Sequence, residues 1–178
     1  MRLRAVGMSR AASVYMLTAF VSAALWAGTT QPLAAQSEEE NPLAGAEGLG
    51  WVKGDPDAPI TVVEFTDVSC PYCARFHEGT RQALIDEFVP TGQVRWITLT
   101  YVSGLFPNSE IPSLAVECAG RQGRYEDFAG RVYAERDRWV RARSAAIRPI
   151  MDELATGLDL DAAAFAACMA DPTVEQRV

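Results

Sequence analysis

The sequence predicts an α/β domain that continues into a helical block. A β-branched, mostly apolar stretch at 59–65 predicts a first strand. Residues 70–88 carry apolar side chains at helical spacing, and the alternating stretch at 94–101 predicts a second strand. From 109 to about 169 the pattern is helical throughout. Because a helix lies between the two strands, we expect them to be parallel neighbours joined by a crossover.

The chain begins with the pattern of an export signal. Arg2, Arg4 and Arg10 form a positive region, an apolar stretch follows at 11–27, and small residues precede an expected cleavage after Ala35. Since a leucine stands two positions before that site, an uncleaved N-terminal anchor is the alternative. Either form predicts a domain in the periplasm or on the extracytoplasmic face of the membrane, where disulfides persist.

Charge and composition define the rest of the chain. Without the three arginines of residues 1–35, it keeps 13 basic and 23 acidic side chains, a net charge of −10. This balance excludes nucleic acid and anionic lipid as partners, because both need basic patches. Acidic and small residues at 36–50 predict a flexible linker, and residues 51–178 suffice for one domain with a core.

The boundaries of the elements follow from local signals. The turn residues of 54–57 precede the first strand, whose nearly continuous hydrophobicity predicts burial on both faces. Thr91 and Gly92 end the first helix. Further helices are expected at 125–133 and at about 140–154, and Asp161 is expected to cap another.

Two of the four cysteines, Cys70 and Cys73, stand where the first strand gives way to the helix. A thiol at a helix N-terminus lies beside unpaired N–H groups, which favour its thiolate. We therefore expect Cys70 to be exposed and nucleophilic, and Cys73, one turn later, to resolve a mixed disulfide. Pro71 suits the first helical turn, and Tyr72 completes the dipeptide that tunes the redox couple.

Two other side chains are candidates for proton transfer. Glu64 lies in the middle of the first strand, and an unpaired buried carboxylate there would have a raised pKa and could exchange protons with Cys73. A solvated acid facing the sheet edge is the alternative. His77 is the sole histidine. Because it is seven residues from Cys70, about 10 Å along a helix, a packing role is favoured over catalysis.

Metal binding is the rival interpretation of the cysteine pair. Tetrahedral zinc needs two further ligands, and the sequence has no second C-x-x-C, so only Cys118, Cys168 and His77 remain besides carboxylates. A copper-delivery protein would show a different cysteine spacing. We therefore expect no metal and no other cofactor.

The stretch GDPDAPITVVEFTDVSCPYCARFH at 54–77 resembles the DsbA-like thioredoxin superfamily, in particular its thioredoxin_4 branch of exported thiol-disulfide oxidoreductases. The resemblance continues more weakly through VECAGRQGRYEDFA at 116–129. It implies a thioredoxin fold with a helical insertion at about 105–170. It also implies an enzyme in which Cys70 attacks, Cys73 resolves and Glu64 is the buried acid.

The same resemblance implies the partners. The Cys70–Cys73 disulfide would be exchanged with cysteines of reduced exported proteins, and a membrane or soluble redox partner would restore it. With that pair assigned, Cys118 and Cys168 remain. In an oxidising compartment a structural disulfide between them is the leading hypothesis, and two buried free thiols are the alternative.

The family pattern also includes a Gly-x-x-Gly-Thr-Pro-type loop with a cis proline, two antiparallel strands and a last helix. No stretch up to Val178 matches them. We therefore expect an incomplete thioredoxin domain in which Val62, Phe65, Trp96 and Ile97 lose part of their burial. A non-catalytic remnant or thiol-bearing binding domain is the alternative function.

Overall fold

The structure is a computed structural model, and it describes Gly48 and residues 50–178. The predicted export segment at 1–35 and most of the predicted linker at 36–50 lie outside these residues. Among the residues that are described, no helix has both the length and the apolar character needed to span a bilayer.

The elements alternate between strand and helix at first and are then all helical. In chain order they are β1 (Trp51–Lys53), β2 (Ile60–Thr66), α1 (Pro71–Phe76), a π-helical turn (His77–Arg81), α2 (Gln82–Phe88), β3 (Val94–Thr100), α3 (Glu110–Gly120), α4 (Tyr125–Ala134), α5 (Arg136–Trp139), α6 (Ser144–Thr156), α7 (Ala162–Cys168) and α8 (Pro172–Glu175). The predicted α/β class and the helical block are thereby confirmed.

The sheet has the strand order β1-β3-β2. Strands β2 and β3 are parallel, with Ile60 opposite Val94 and Thr66 opposite Thr100, which confirms the crossover expected from the sequence. Strand β1 pairs antiparallel with β3. The sequence did not predict β1, because three residues are too few to show an alternating pattern.

Strand β2 is less buried than its composition predicts. Ile60 is 53% and Phe65 is 65% exposed, so the prediction of burial on both faces is wrong. The reason is that β2 has a neighbour only on the β3 side among the described residues.

Val62 is partly exposed, as expected. Trp96 and Ile97 lie on the central strand and are 5% and 0% exposed, so the expected loss of burial there is wrong.

The main hydrophobic core lies in the helical block. Phe128 and Val132 of α4, Trp139 of α5 and Met151 of α6 are fully buried and pack in one cluster. Val68, in the loop after β2, belongs to the same cluster. The core therefore also fixes the loop that leads into the cysteine pair.

Candidate functional site

The cysteine pair lies at the start of α1. Cys70 is the N-cap residue, with extended backbone angles of φ −72° and ψ 121°, and Pro71 follows in the first turn. The Cys73 amide donates a hydrogen bond to the Cys70 sulfur at 3.4 Å. Both thiols are free. The N-cap sulfur thus replaces the side-chain oxygen that normally accepts from the first turn of a helix.

The exposure of the two sulfurs differs from the prediction. Cys70 is only 8% exposed, whereas Cys73 is partly exposed. The expected exposure of Cys70 is wrong, because its sulfur turns toward the Cys73 amide and the preceding Ser69 is fully buried.

The loop before Cys70 is organised by a buried carboxylate that the sequence analysis did not single out. Asp67 is 1% exposed. It accepts hydrogen bonds from the Ser69 amide at 2.9 Å, from the amide and hydroxyl of Ser103 at 3.1 and 2.7 Å, and from the Ser109 hydroxyl. One acid thus joins the loop after β2 to the segment that leads into α3. In the sequence, the signal for this role was that Asp67 lies directly after a strand and three residues before Cys70.

Cys73 lies in an environment that favours its protonated form. Burial raises the pKa of the Cys73 thiol, and its interactions with Cys70 raise that pKa further. Hydrogen bonds from the Asp67 backbone and the Thr66 hydroxyl act in the opposite direction without cancelling the shift. A higher pH is therefore needed to ionise Cys73 than to ionise an ordinary thiol.

The Glu64 side chain is 9% exposed, and it has several partners. Its Oε2 atom accepts hydrogen bonds from Arg81 Nε at 2.7 Å, from Trp96 Nε1 at 2.8 Å and from Thr98 Oγ1 at 3.2 Å. The premise of an uncompensated carboxylate is therefore wrong. The sequence could not reveal Arg81 as the partner of Glu64, because an arginine in a helix is usually solvated.

Arg81 connects three elements of the fold. Its side chain is 1% exposed, and besides Glu64 it binds both carboxylate oxygens of Glu126 in α4, at 2.8 and 2.9 Å. Burial alone would lower the pKa of Arg81, but hydrogen bonds and charge from Glu126 and Glu64 outweigh it and raise that pKa. The π-helical turn carries Arg81, and it interrupts the α-helical register between α1 and α2. Such turns often occur at functional sites.

His77 has the packing role that its distance from Cys70 predicts. Its ring lies against the Tyr133 ring with 4.7 Å between centroids. Burial, followed by the nearby charge of Arg81, lowers the pKa of His77, so the imidazole is neutral at neutral pH. The Tyr133 hydroxyl in turn shares a 2.7 Å hydrogen bond with the Thr66 hydroxyl at the end of β2. Thr66 and Tyr133 were not identified from the sequence.

An apolar groove opens beside Cys73. Its volume is about 400 Å³, and its lining includes Val62 and Phe65 of β2, Phe76 of α1 and Trp96 of β3. Tyr72 borders the groove, is 69% exposed and carries the Arg75 guanidinium 4.7 Å from its ring centroid. A partly exposed thiol thus adjoins a surface suited to apolar side chains.

The other two cysteines form a disulfide within the helical block. Cys118 of α3 and Cys168 of α7 are bonded, with 5.7 Å between their Cα atoms. The bridge is separate from the Cys70–Cys73 pair. No group of three or more potential ligands for a metal ion occurs among residues 50–178.

Comparison with known proteins gives a family match over most of the chain. The family profile Thioredoxin_4, described as thioredoxin, matches residues 47–178. Na(+)/H(+) antiporter NhaA 3 of Salinispora tropica is 31% identical over 121 residues, which are 67% of this chain and 17% of the antiporter. Disulfide bond formation protein D of Bacillus subtilis is 34% identical over 77 residues, which are 39% of this chain and 33% of that protein. The chain thus spans a third or less of these two curated relatives.

A solved structure supports the fold. The crystal structure of alpha-DsbA1 from Wolbachia pipientis superposes with a TM-score of 0.62 at 22% sequence identity, covering 74% of this chain and 67% of that one. The described residues therefore share the fold of that protein over the superposed part.

Proposed function

This chain belongs to the thioredoxin family Thioredoxin_4, and we propose that it is a thiol-disulfide oxidoreductase acting on exported proteins. Cys70 is the attacking thiol and Cys73 is the resolving thiol. The observation that carries the proposal is the hydrogen bond from the Cys73 amide to the Cys70 sulfur at the start of α1. A helix N-terminus favours a thiolate at that position, and a thiolate is the reactive form in disulfide exchange.

In the oxidising direction, a substrate thiolate attacks the Cys70 sulfur of the Cys70–Cys73 disulfide. The bond between the two cysteines breaks, a mixed disulfide forms, and Cys73 leaves and takes up a proton. A second substrate thiolate then attacks the substrate sulfur and releases Cys70. The substrate loses two electrons and two protons, and the redox pair gains them. A membrane-bound or soluble partner with its own disulfide reverses the change.

The raised pKa of Cys73 slows its return attack on the mixed disulfide. A sulfur that is protonated at neutral pH does not return at once to attack the mixed disulfide. Release of the substrate by its own second cysteine is then favoured over reversal. Glu64 belongs to the ion pair with Arg81 in this proposal, and it supports the strand that leads to the site.

The groove beside Cys73 supports a preference for apolar substrate segments. Phe65 and Tyr72 are largely exposed and border it, so an extended chain with an aromatic or aliphatic residue near its cysteine would cover them. We assign the reaction to the periplasm or the extracytoplasmic face of the membrane, on the strength of the N-terminal sequence pattern.

A disulfide-exchange assay tests this function. The oxidised full chain is mixed with a reduced peptide that carries two cysteines and one aromatic residue, and peptide oxidation is followed by mass spectrometry. We expect exchange with the wild type and none with Cys70→Ser. Cys73→Ser has no redox disulfide, so it is mixed with the oxidised peptide instead: Cys70 attacks the peptide disulfide, and we expect the mixed disulfide to accumulate. Stable binding of the peptide without any exchange would support the non-catalytic binding domain instead.

A further inference from the structure

Arg136 binds the backbone next to the redox pair. It is the first residue of α5, and its guanidinium donates to the Ser69 carbonyl oxygen from two nitrogens, at 2.6 and 3.2 Å. That oxygen belongs to the peptide bond whose nitrogen is the amide of Cys70. A forked pair of charge-assisted hydrogen bonds fixes orientation more strongly than a single donor does.

The other polar groups of Ser69 are also occupied. Its amide donates to Asp67 Oδ1 at 2.9 Å, and its hydroxyl donates to the Pro107 carbonyl oxygen at 2.5 Å. Ser69 is 0% exposed. With Arg136 on its carbonyl, the residue before Cys70 is held by three different segments of the chain. The backbone angles that place the Cys70 sulfur at the helix cap depend on this peptide.

Arg136 also brings a positive charge to this peptide. No carboxylate among the described residues forms an ion pair with it, whereas Arg138, two positions later, pairs with Glu135 and Glu153. Other titratable or charged groups around the redox pair include Asp67 from the loop, Tyr72, Cys73 and Arg75 from α1, and Tyr133 from α4. Asp67 is surrounded by amide and hydroxyl donors. Arg136 is therefore the cation that directly holds the peptide preceding Cys70.

We propose that Arg136 is a positioning residue for the redox pair, which holds the Ser69–Cys70 peptide in the capping geometry and stabilises the Cys70 thiolate by its charge. The inference rests on the proposed function only in taking Cys70 as the attacking thiol. A cation bound to the adjacent peptide favours the reduced pair over the disulfide, because the disulfide carries no charge to stabilise. Arg136 thus makes the disulfide form a stronger oxidant.

The experiment measures Cys70 directly in the reduced full chain. Alkylation by iodoacetamide is followed from pH 4 to 9, with mass mapping of the Cys70 peptide, and the equilibrium with glutathione is measured in parallel. With Arg136→Met, we expect about a threefold to tenfold lower alkylation rate at mildly acidic pH and a similar shift of the equilibrium toward the disulfide. The matched control is Arg138→Met, which removes the same group from the same helix and should leave both readouts unchanged.

A purely structural role would lower the melting temperature of Arg136→Met and leave its alkylation profile and glutathione equilibrium within twofold of the wild type. That result overturns the proposal. If Arg136→Met does not fold, Arg136→Lys and Arg136→Gln are compared instead. Both side chains are polar, but only lysine keeps the positive charge, so the comparison tests the charge effect. We expect the glutamine variant to be shifted and the lysine variant to lie nearer the wild type. Equal profiles for the two overturn the assigned charge effect.

A failure of the proposed function would give a different set of results from a failure of the role of Arg136. The alkylation profile needs no substrate and no turnover, so a shift in Arg136→Met without any peptide oxidation supports the role of Arg136 and contradicts the oxidoreductase. Peptide oxidation by the wild type together with an unshifted Arg136→Met overturns the role of Arg136 alone.

Discussion

Arg81 donates a 2.7 Å hydrogen bond from Nε to Glu64, and this contact joins the helix after the redox pair to the strand before it. Arg81 also holds Glu126 of α4, so one guanidinium connects the sheet, the π-helical turn after the cysteine pair and the helical block. The cysteines therefore lie in a segment, from β2 to the π-helical turn, whose two ends are joined by an ion pair.

Replacing Arg81 should destabilise the fold strongly. Arg81→Met leaves the Glu64 and Glu126 carboxylates without their common cation, and breaking a buried ion pair in this way costs about 3–5 kcal/mol. Urea unfolding followed by circular dichroism measures the loss. The control is Arg148→Met, which removes a half-exposed arginine paired with Asp152 and should change the midpoint little. Similar midpoints for the two variants would contradict the role given to Arg81.

The two thiols should differ in reactivity. Burial raises the pKa of Cys73, whereas the Cys70 sulfur accepts the Cys73 amide at the helix start. In the reduced protein at mildly acidic pH, we expect iodoacetamide to modify Cys70 roughly ten times faster than Cys73. Peptide mapping after timed quenching gives both rates. Faster modification of Cys73 would reverse the assigned roles.

Glu117 should make stability depend on pH. It is 3% exposed, and burial raises its pKa above the ordinary value although Trp51 and Thr100 donate hydrogen bonds to it. Since the raised pKa favours the protonated form in the fold, this contribution to stability is complete below the unfolded-state pKa of about 4.5 and is lost as pH rises through the folded-state pKa.

The variant Glu117→Gln keeps an acceptor for the Trp51 indole, which donates at 3.0 Å, and removes the charge. We therefore expect its melting temperature, relative to the wild type, to increase between about pH 4.5 and pH 7. Thermal melts of variant and wild type across this pH range test the prediction. The control is Glu87→Gln, at a residue that is exposed. A difference between variant and wild type that does not change with pH would show that Glu117 is not the titrating group.

The second disulfide should be structural. Because Cys118 and Cys168 enclose 50 residues, removing both sulfurs as a double alanine variant should cost up to roughly 4 kcal/mol by the chain-entropy argument. Non-reduced peptide mapping should show these two residues joined to each other. Peptide oxidation per folded molecule should stay close to that of the wild type. Recovery of both cysteines alkylated without prior reduction would support free thiols.

Local patterns predicted a large part of this site. Cys70, Pro71 and Cys73 lie within four residues, and the capping geometry of a strand-to-helix junction depends mainly on those residues, so their placement could be derived from the sequence. The parallel pairing of β2 and β3 likewise followed from the helix between them. These are short-range or topological inferences, which a single sequence supports well.

The partners that act across the fold could not be predicted in the same way. Arg136 contacts Ser69 from 67 residues away, and Arg81 meets Glu126 across 45 residues. From the sequence, each of these arginines is expected to be a solvated side chain on a helix. The exposure of β2 also depends on its neighbours in the sheet and not on its own composition.

The π-helical turn holds one residue more than an α-helical turn would, between the cysteines and Arg81. A π-helix advances by a smaller angle per residue than an α-helix does, so the turn absorbs the extra residue. Loss of one residue between His77 and Arg81 would therefore convert the turn to α-helix and leave Arg81 near the face that meets Glu64. When related sequences are aligned, a one-residue gap there is therefore compatible with the same internal ion pair.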